Sequence, residues 1–219
     1  MKIKIALVLF LVSISFSFAE NVEIKLTSAK TNMVEIQYYD ENTEKFFIGY
    51  GSYVSKIENL EALKNLKEVH LVGTSFLTDL SFLANCTELE VIILYDLQVN
   101  DFGFLYSLPK LKVLDIQSVS FSKMFDLAKL INLEYVAMVS CGITNIMDFA
   151  SHGQALRYIN LSDNRIQDLP AIRGDEKAVF ILSRNPVADE ISLKSDTGNI
   201  YLERDVYTFL PDEYKRFVR

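Results

Sequence analysis

The sequence predicts an α/β solenoid. A parallel β-sheet should run along one side of the stack, short helical or 3-10 turns along the other, and a β-rich cap should close the N-terminal end. Three observations predict it. Apolar residues recur at the offsets 0, 3, 5, 8, 10 and 13 from Leu89, Leu111 and Leu133, and from Leu156 with the polar Asn164 at offset 8, and a looser copy starts at Leu66. Successive copies lie 22 or 23 residues apart, and a fixed period of that size marks a repeat architecture. Each copy, such as LRYINLSDNRIQDL from Leu156, mixes a period of two with a wider spacing, so it holds a short strand and then a turn.

Taken in order, the chain starts MKIKIALVLFLVSISFSFAE. Lys2 and Lys4 precede an apolar run from Ile5 to Phe16, and Ser17-Phe18-Ala19 offers small residues where a signal peptidase cuts. The run is short for a membrane span of about 20 residues. A secretory leader at 1–19 is expected, with Glu20 as the mature start and no membrane insertion after its removal. The formal net charge of -7 becomes more negative once the two leader lysines are gone, which disfavours nucleic acid and anionic membranes as partners.

Beyond the leader, MVEIQYY and KFFIGYG flank the turn-rich DENTE, which reads as a hairpin within a β cap. The repeats follow. In each unit, residues two apart, such as Ile159 and Leu161, point to one side of a strand, and Ile166 and Leu169 return to the same interior after the turn. One unit leaves two open strand edges. Stacking closes them at about 4.8 Å, with parallel strands because every unit is traversed in one direction. Weaker copies are expected at Phe47, Gly49, Ser52, Val54 and Ile57 upstream, and at Phe180, Leu182, Asn185 and Val187 downstream.

These residues resemble the leucine-rich-repeat family, with its pattern LxxLxLxxNxIxxI. The 22-residue period and the Asp-Leu or Asp-Phe unit endings are similar to the bacterial internalin-like and phosphatase-regulator-like subclass. The resemblance implies a curved right-handed solenoid with a concave parallel sheet and helical or 3-10 turns on the convex side. The chain then divides into the leader at 1–19, an N-terminal β cap at 20–46, leucine-rich repeats at 47–190 and a C-terminal cap at 191–219, within one domain.

In that family an asparagine builds a ladder of bonds to turn backbone. The position here holds Thr74, Leu97, Val119, Cys141, Asn164 and Asn185. Leu97 and Val119 cannot bond, so the middle of the stack is expected to be less regular. Asp79, Asp101, Asn145 and Asp168 stand where a turn needs an N-cap acceptor. Cys86 and Cys141 lie two units apart, about 10 Å or more, beyond the roughly 7 Å Cα limit of a bridge, so both should be free and buried. In the C-terminal cap, EISLK and IYLE flank SDTGN as a second hairpin candidate, and LPDEYKRFVR offers Asp212 as a helix start.

Catalytic constellations are nearly absent. The two histidines, His70 and His152, come from different units, and no zinc, nucleophile-elbow or phosphate-loop spacing occurs. Ser120 to Lys123 matches SxxK without the companion motifs of that chemistry. Arg173-Gly174-Asp175 spells a tripeptide that integrins read, and Asn85 and Asn160 head glycosylation sequons; short matches of this kind arise by chance. No cofactor and no metal are implied.

The inner sheet face carries more information. Strand alternation places there Glu68, His70 and Val72; Val91, Ile93 and Tyr95; Val113, Asp115 and Gln117; Tyr135, Ala137 and Val139; Tyr158, Asn160 and Ser162; Val179, Ile181 and Ser183, with Phe46, Ile48 and Tyr50 from the weak first unit. Eleven of the eighteen full-unit positions are apolar or Tyr, whereas a merely solvated face is mostly polar. Strand propensity alone also favours Val, Ile and Tyr. The expected function is therefore a non-catalytic, exported, monomeric module, periplasmic or at the cell surface, that binds another protein through Val72, Val91, Ile93, Tyr95, Val113, Tyr135, Val139, Tyr158, Val179 and Ile181. Two alternatives stay open: a surface adhesin engaging host tissue, as the internalin resemblance allows, and an unrecognised enzyme.

Overall fold

The computed structural model describes residues 21–121, 124–145, 149, 155–167, 178–186, 199–201 and 212–215. Eight short strands build the main sheet. β3 (Lys45–Ile48), β5 (Glu68–Val72), β6 (Val91–Tyr95), β7 (Val113–Gln117), β8 (Tyr135–Val139), β9 (Tyr158–Asn160), β10 (Val179–Ile181) and β11 (Asn199–Tyr201) lie side by side in that order. Every pair among them is parallel. The registers join Val69, Ile92, Leu114, Val136, Ile159 and Phe180 into one row across the strands. That row is buried along its whole length. Burying one such side chain contributes about 1.5–3 kcal/mol. This is the repeat solenoid that the period predicts, with the parallel sheet that the leucine-rich-repeat resemblance implies.

On the other side the chain turns in 3-10 segments, Leu60–Ala62, Ser81–Asn85, Gly103–Ser107 and Leu127–Lys129. Leu60, Leu83, Leu105 and Leu127 sit at equivalent places in them and are buried. Asp79 and Asp101 accept the N–H groups of Ser81 and Gly103, each at 2.8 Å, as expected. Asp126 does the same for Ala128 at 3.1 Å, a cap that the repeat offsets did not single out. Asp168 lies outside the described residues. Cys86 and Cys141 are free and buried, as expected, and burial pushes their thiols up to about 12 and about 11.

The cap is a three-stranded antiparallel sheet in the order β2-β1-β4, with β1 at Asn21–Ser28, β2 at Val34–Asp40 and β4 at Val54–Glu58. The expected hairpin across DENTE is a crossing instead. β2 pairs with β1, while β3 leaves the cap and pairs with β5. The chain then returns to the cap as β4, so Val54 and Ile57 pair within the cap sheet while their side chains join the main core, one 23-residue period before Leu77 and Leu80. The deciding contacts are long-range: Phe46 and Ile48 pair in register with Val69 and Leu71 and are buried with them. They therefore face the core, not the concave side, and the first unit is slipped by one residue from the expected Phe47 start. A one-residue slip exchanges the two faces of a strand. A similar slip in the next unit buries Leu77 and exposes Phe76, which packs on Tyr53 with ring centroids 5.8 Å apart.

The middle of the stack is regular, contrary to expectation. β6 and β7, the units of Leu97 and Val119, are full five-residue strands, and these two side chains are buried. Apolar packing replaces the polar ladder there. Farther on, the ladder forms: Asn164 donates to the carbonyls of Met138, Leu161 and Ser162 and accepts from the N–H groups of Cys141 and Ile143. At the C-terminal end β11 pairs parallel with β10, and Asp212–Lys215 is a single helical turn; residues 190–198 and 202–203 of the second hairpin candidate lie outside the described residues.

A backbone device invisible in the apolar pattern holds the strand ends. Gly73, Asp96, Ser118, Ser140, Asp163 and Arg184, each just past a strand or one turn beyond it, have positive φ. Through Asp163, each of these N–H groups bonds a carbonyl of the next unit, at 2.8–3.2 Å. For a side chain other than glycine this conformation costs about 1 kcal/mol. Ser118 is exposed with φ 54°, so Ser118→Gly should raise stability by about 0.5–1 kcal/mol, read as a higher urea midpoint at unchanged slope.

Candidate functional site

The concave face is built by the outward-alternating residues of β3 and β5 to β10. Registers place Phe47 beside His70 and His70 beside Ile93, then Asp115, Ala137 and Asn160, and put Val72 beside Tyr95. All ten sequence-expected binding residues lie on this face. Their exposure divides them. Val91, Ile93, Val113 and Tyr135 are buried, together with Ala137, in a second apolar cluster separate from the main core, and Ile181 is buried as well. Tyr95, Val139 and Tyr158 pack against that cluster and are partly exposed, as are Val72 and Val179. The expected broad open patch is therefore corrected: its centre is closed. Side chains on the inner side of a curved sheet converge, so large residues on strands about 4.8 Å apart pack on one another.

Within the cluster sits one carboxylate. Asp115 is 1% exposed, accepts the Tyr95 hydroxyl at 2.6 Å, and accepts Gln117 Nε2 at 3.2 Å. Burial pushes its carboxyl up to about 7, and the two hydrogen bonds pull against that rise. Two units farther on, Asn160 accepts both the N–H and the hydroxyl of Ser162, so this sequon asparagine is committed inside the sheet.

The face opens at its N-terminal end. Phe47 is 57% and Tyr50 70% exposed. Phe47 meets the His70 ring edge-on at 6.3 Å, and His70 Nε2 lies 2.5 Å from Glu68. Tyr50 lies flat on Gly73: a Cβ there would fall 2.1 Å from its ring. Its hydroxyl donates to Asp96 at 2.5 Å. The close ring is what sets glycine apart at this place, since Asp96, Ser118 and Ser140 hold a similar positive φ at the equivalent positions. Sequence reasoning missed Phe47 because it slipped the first unit by one residue; the alternation of KFFI carried the signal in either register.

A separate cleft of about 690 Å³ lies where the cap sheet meets the first 3-10 turns, and Glu23, Lys25, Glu58, Glu61 and Asp79 line it. Lys56 holds the Glu58 carboxyl low, and the Ser81 N–H does so for Asp79. Both shifts run opposite to what a general acid needs. Among the described residues no group of three or more His, Cys, Asp or Glu could hold a metal ion, and no helix is long and apolar enough to cross a membrane. Lys123, His152 and residues 173–175 lie outside the described residues.

No family model matches the chain, and no curated protein matches it in sequence. Solved structures do. Internalin C2 of Listeria monocytogenes superposes with a TM-score of 0.53 and 23% identity, over 66% of this chain and 64% of that one. The internalin inlF of the same organism gives 0.51 and 21%, over 76% and 58%. The chain spans less than two thirds of either neighbour's length. At these identities the likeness is one of fold, the leucine-rich-repeat solenoid of the internalins.

Proposed function

From an internalin-like leucine-rich-repeat solenoid as the premise, we propose that this chain is an exported, non-catalytic module that binds another protein with the concave side of its sheet, entered at the N-terminal end. The observation that carries the reading is the pair of exposed rings, Phe47 and Tyr50, fixed on a rigid parallel sheet by His70, Gly73 and Asp96. Exposed aromatics with a fixed pose offer contact area at little entropy cost. Val72 and Tyr95 border them, and Val139, Tyr158 and Val179 continue a half-open surface along the sheet. The buried members Val91, Ile93, Val113, Tyr135 and Ile181 act as the floor that keeps those side chains in place. The leader-like start supports export to the periplasm or the cell surface.

The test compares recovery of bound protein from the native envelope fraction. The wild type and Ile131→Ser, which changes a 68%-exposed side chain away from the concave face, should retain the same partner. Phe47→Ser/Tyr50→Ser should lose it by at least about tenfold, the usual scale for an aromatic anchor. Equal recovery by all three proteins would overturn the concave site.

A further inference from the structure

The cap presents a second surface, unrelated to the concave face. β2 is the edge of the cap sheet: β1 covers one side, and among the described residues no strand pairs with the other. Natural edge strands are guarded by Lys, Pro, bulges or extreme shortness. β2 is seven residues long, VEIQYYD; it has no Lys or Pro, its pairing with β1 runs without a register break, and its only charges are Glu35 and Asp40, one of them at the strand's last residue. Its faces divide cleanly. Tyr39 turns inward and packs on Phe46 at 5.6 Å, whereas Val34, Ile36 and Tyr38 point outward and are 52%, 44% and 62% exposed. On the same outer face β1 offers only Glu23, Lys25 and Thr27, so the apolar stripe sits at the free edge alone.

We propose that this edge is a self-association strand: β2 pairs antiparallel with β2 of a second copy about a two-fold axis at Gln37, joining two caps into one six-stranded sheet. The residue pattern selects that occupant. An axis through Gln37 matches all seven residues and sets Ile36 opposite Tyr38, Val34 opposite Asp40 and Glu35 opposite Tyr39. β-branched and aromatic residues thus meet across the strands, twice by symmetry, and no charge faces its like. An axis through Glu35 would oppose Glu35 to itself, and one through Tyr38 would oppose Glu35 to Glu41. The paired area is small, below the ~1,200 Å² of stable complexes, so the dimer is weak and concentration-dependent.

Sedimentation of the purified protein up to about 1 mM should show reversible dimerisation, and Ile36→Lys/Tyr38→Lys should weaken it by at least about tenfold. Under oxidising conditions Gln37→Cys should form a covalent dimer, because residues opposite each other on antiparallel strands lie about 4.5–5.5 Å apart. Glu35→Cys should not, since its copies stand about 13 Å apart in this register. Cys86 and Cys141 are buried and do not compete. A protein that stays monomeric throughout, a dimer indifferent to the two lysines, or cross-linking through position 35 and not 37 would each overturn the proposal.

Discussion

Asp115→Asn should be more stable than the wild type at pH 8 by about 2–4 kcal/mol, and no more stable at pH 4. The carboxyl is 1% exposed, and burial raises it from 3.8 to about 7 in the folded chain. A folded-state pKa above the unfolded one means that the native protein holds the proton more tightly. The stability tied to that proton is complete below about 4, declines as pH rises from about 4 to 7, and is gone above about 7. Each pKa unit corresponds to about 1.4 kcal/mol, which sets the upper figure. Asparagine is nearly isosteric and carries no charge to desolvate, so its stability should be flat across that window. Tyr95 donates to Asp115, and the amide oxygen of asparagine can accept in its place. Urea unfolding of both proteins at pH 4, 6 and 8 gives the comparison. A constant difference at the three pH values would mean that Asp115 ionises in the native protein as it does in water.

Asn164→Ala should lower stability by about 3–5 kcal/mol and the thermal midpoint by roughly 10 °C. One side chain makes five bonds here: Nδ2 to the carbonyls of Met138, Leu161 and Ser162 at 2.6–3.1 Å, and Oδ1 from the N–H groups of Cys141 and Ile143 at 3.0 Å. The site is 5% exposed, so water cannot replace those bonds where backbone groups are left buried, at about 1–3 kcal/mol each. Asn185→Ala removes three bonds one unit farther on and should cost less. Equal effects of the two, or a loss under about 1 kcal/mol at Asn164, would show that the ladder does not hold these rungs together.

How much of this was legible beforehand varies by residue. The inward row of Val69, Ile92, Leu114, Val136 and Ile159 could be read from spacing alone, because each rung must offer an apolar group at the same offset to bury its neighbour's. The ladder asparagines could be read for the same reason. Phe47 could not: KFFI alternates equally well in two registers, and only pairing with β5 chooses. The crossing from β2 to β3 was hidden because DENTE is good turn chemistry for either outcome. Phe76 and Leu77 exchanged roles where the unit runs to 23 residues.

The candidate site shows the same division. That Val91, Ile93, Val113, Tyr135 and Ile181 occupy the concave face follows from alternation along each strand. That they are covered while Phe47 and Tyr50 are open does not, because exposure depends on what neighbouring strands hold.

By itself the amino-acid order determined the repeat, the parallel sheet and which side of each strand is apolar, since these depend on spacings of a few residues along one chain. The tertiary structure alone decided which strand joins the cap, where the inner face opens, and how strongly Asp115 holds its proton. Those outcomes depend on atoms brought close from units 20 or more positions apart, and a local pattern carries no record of them.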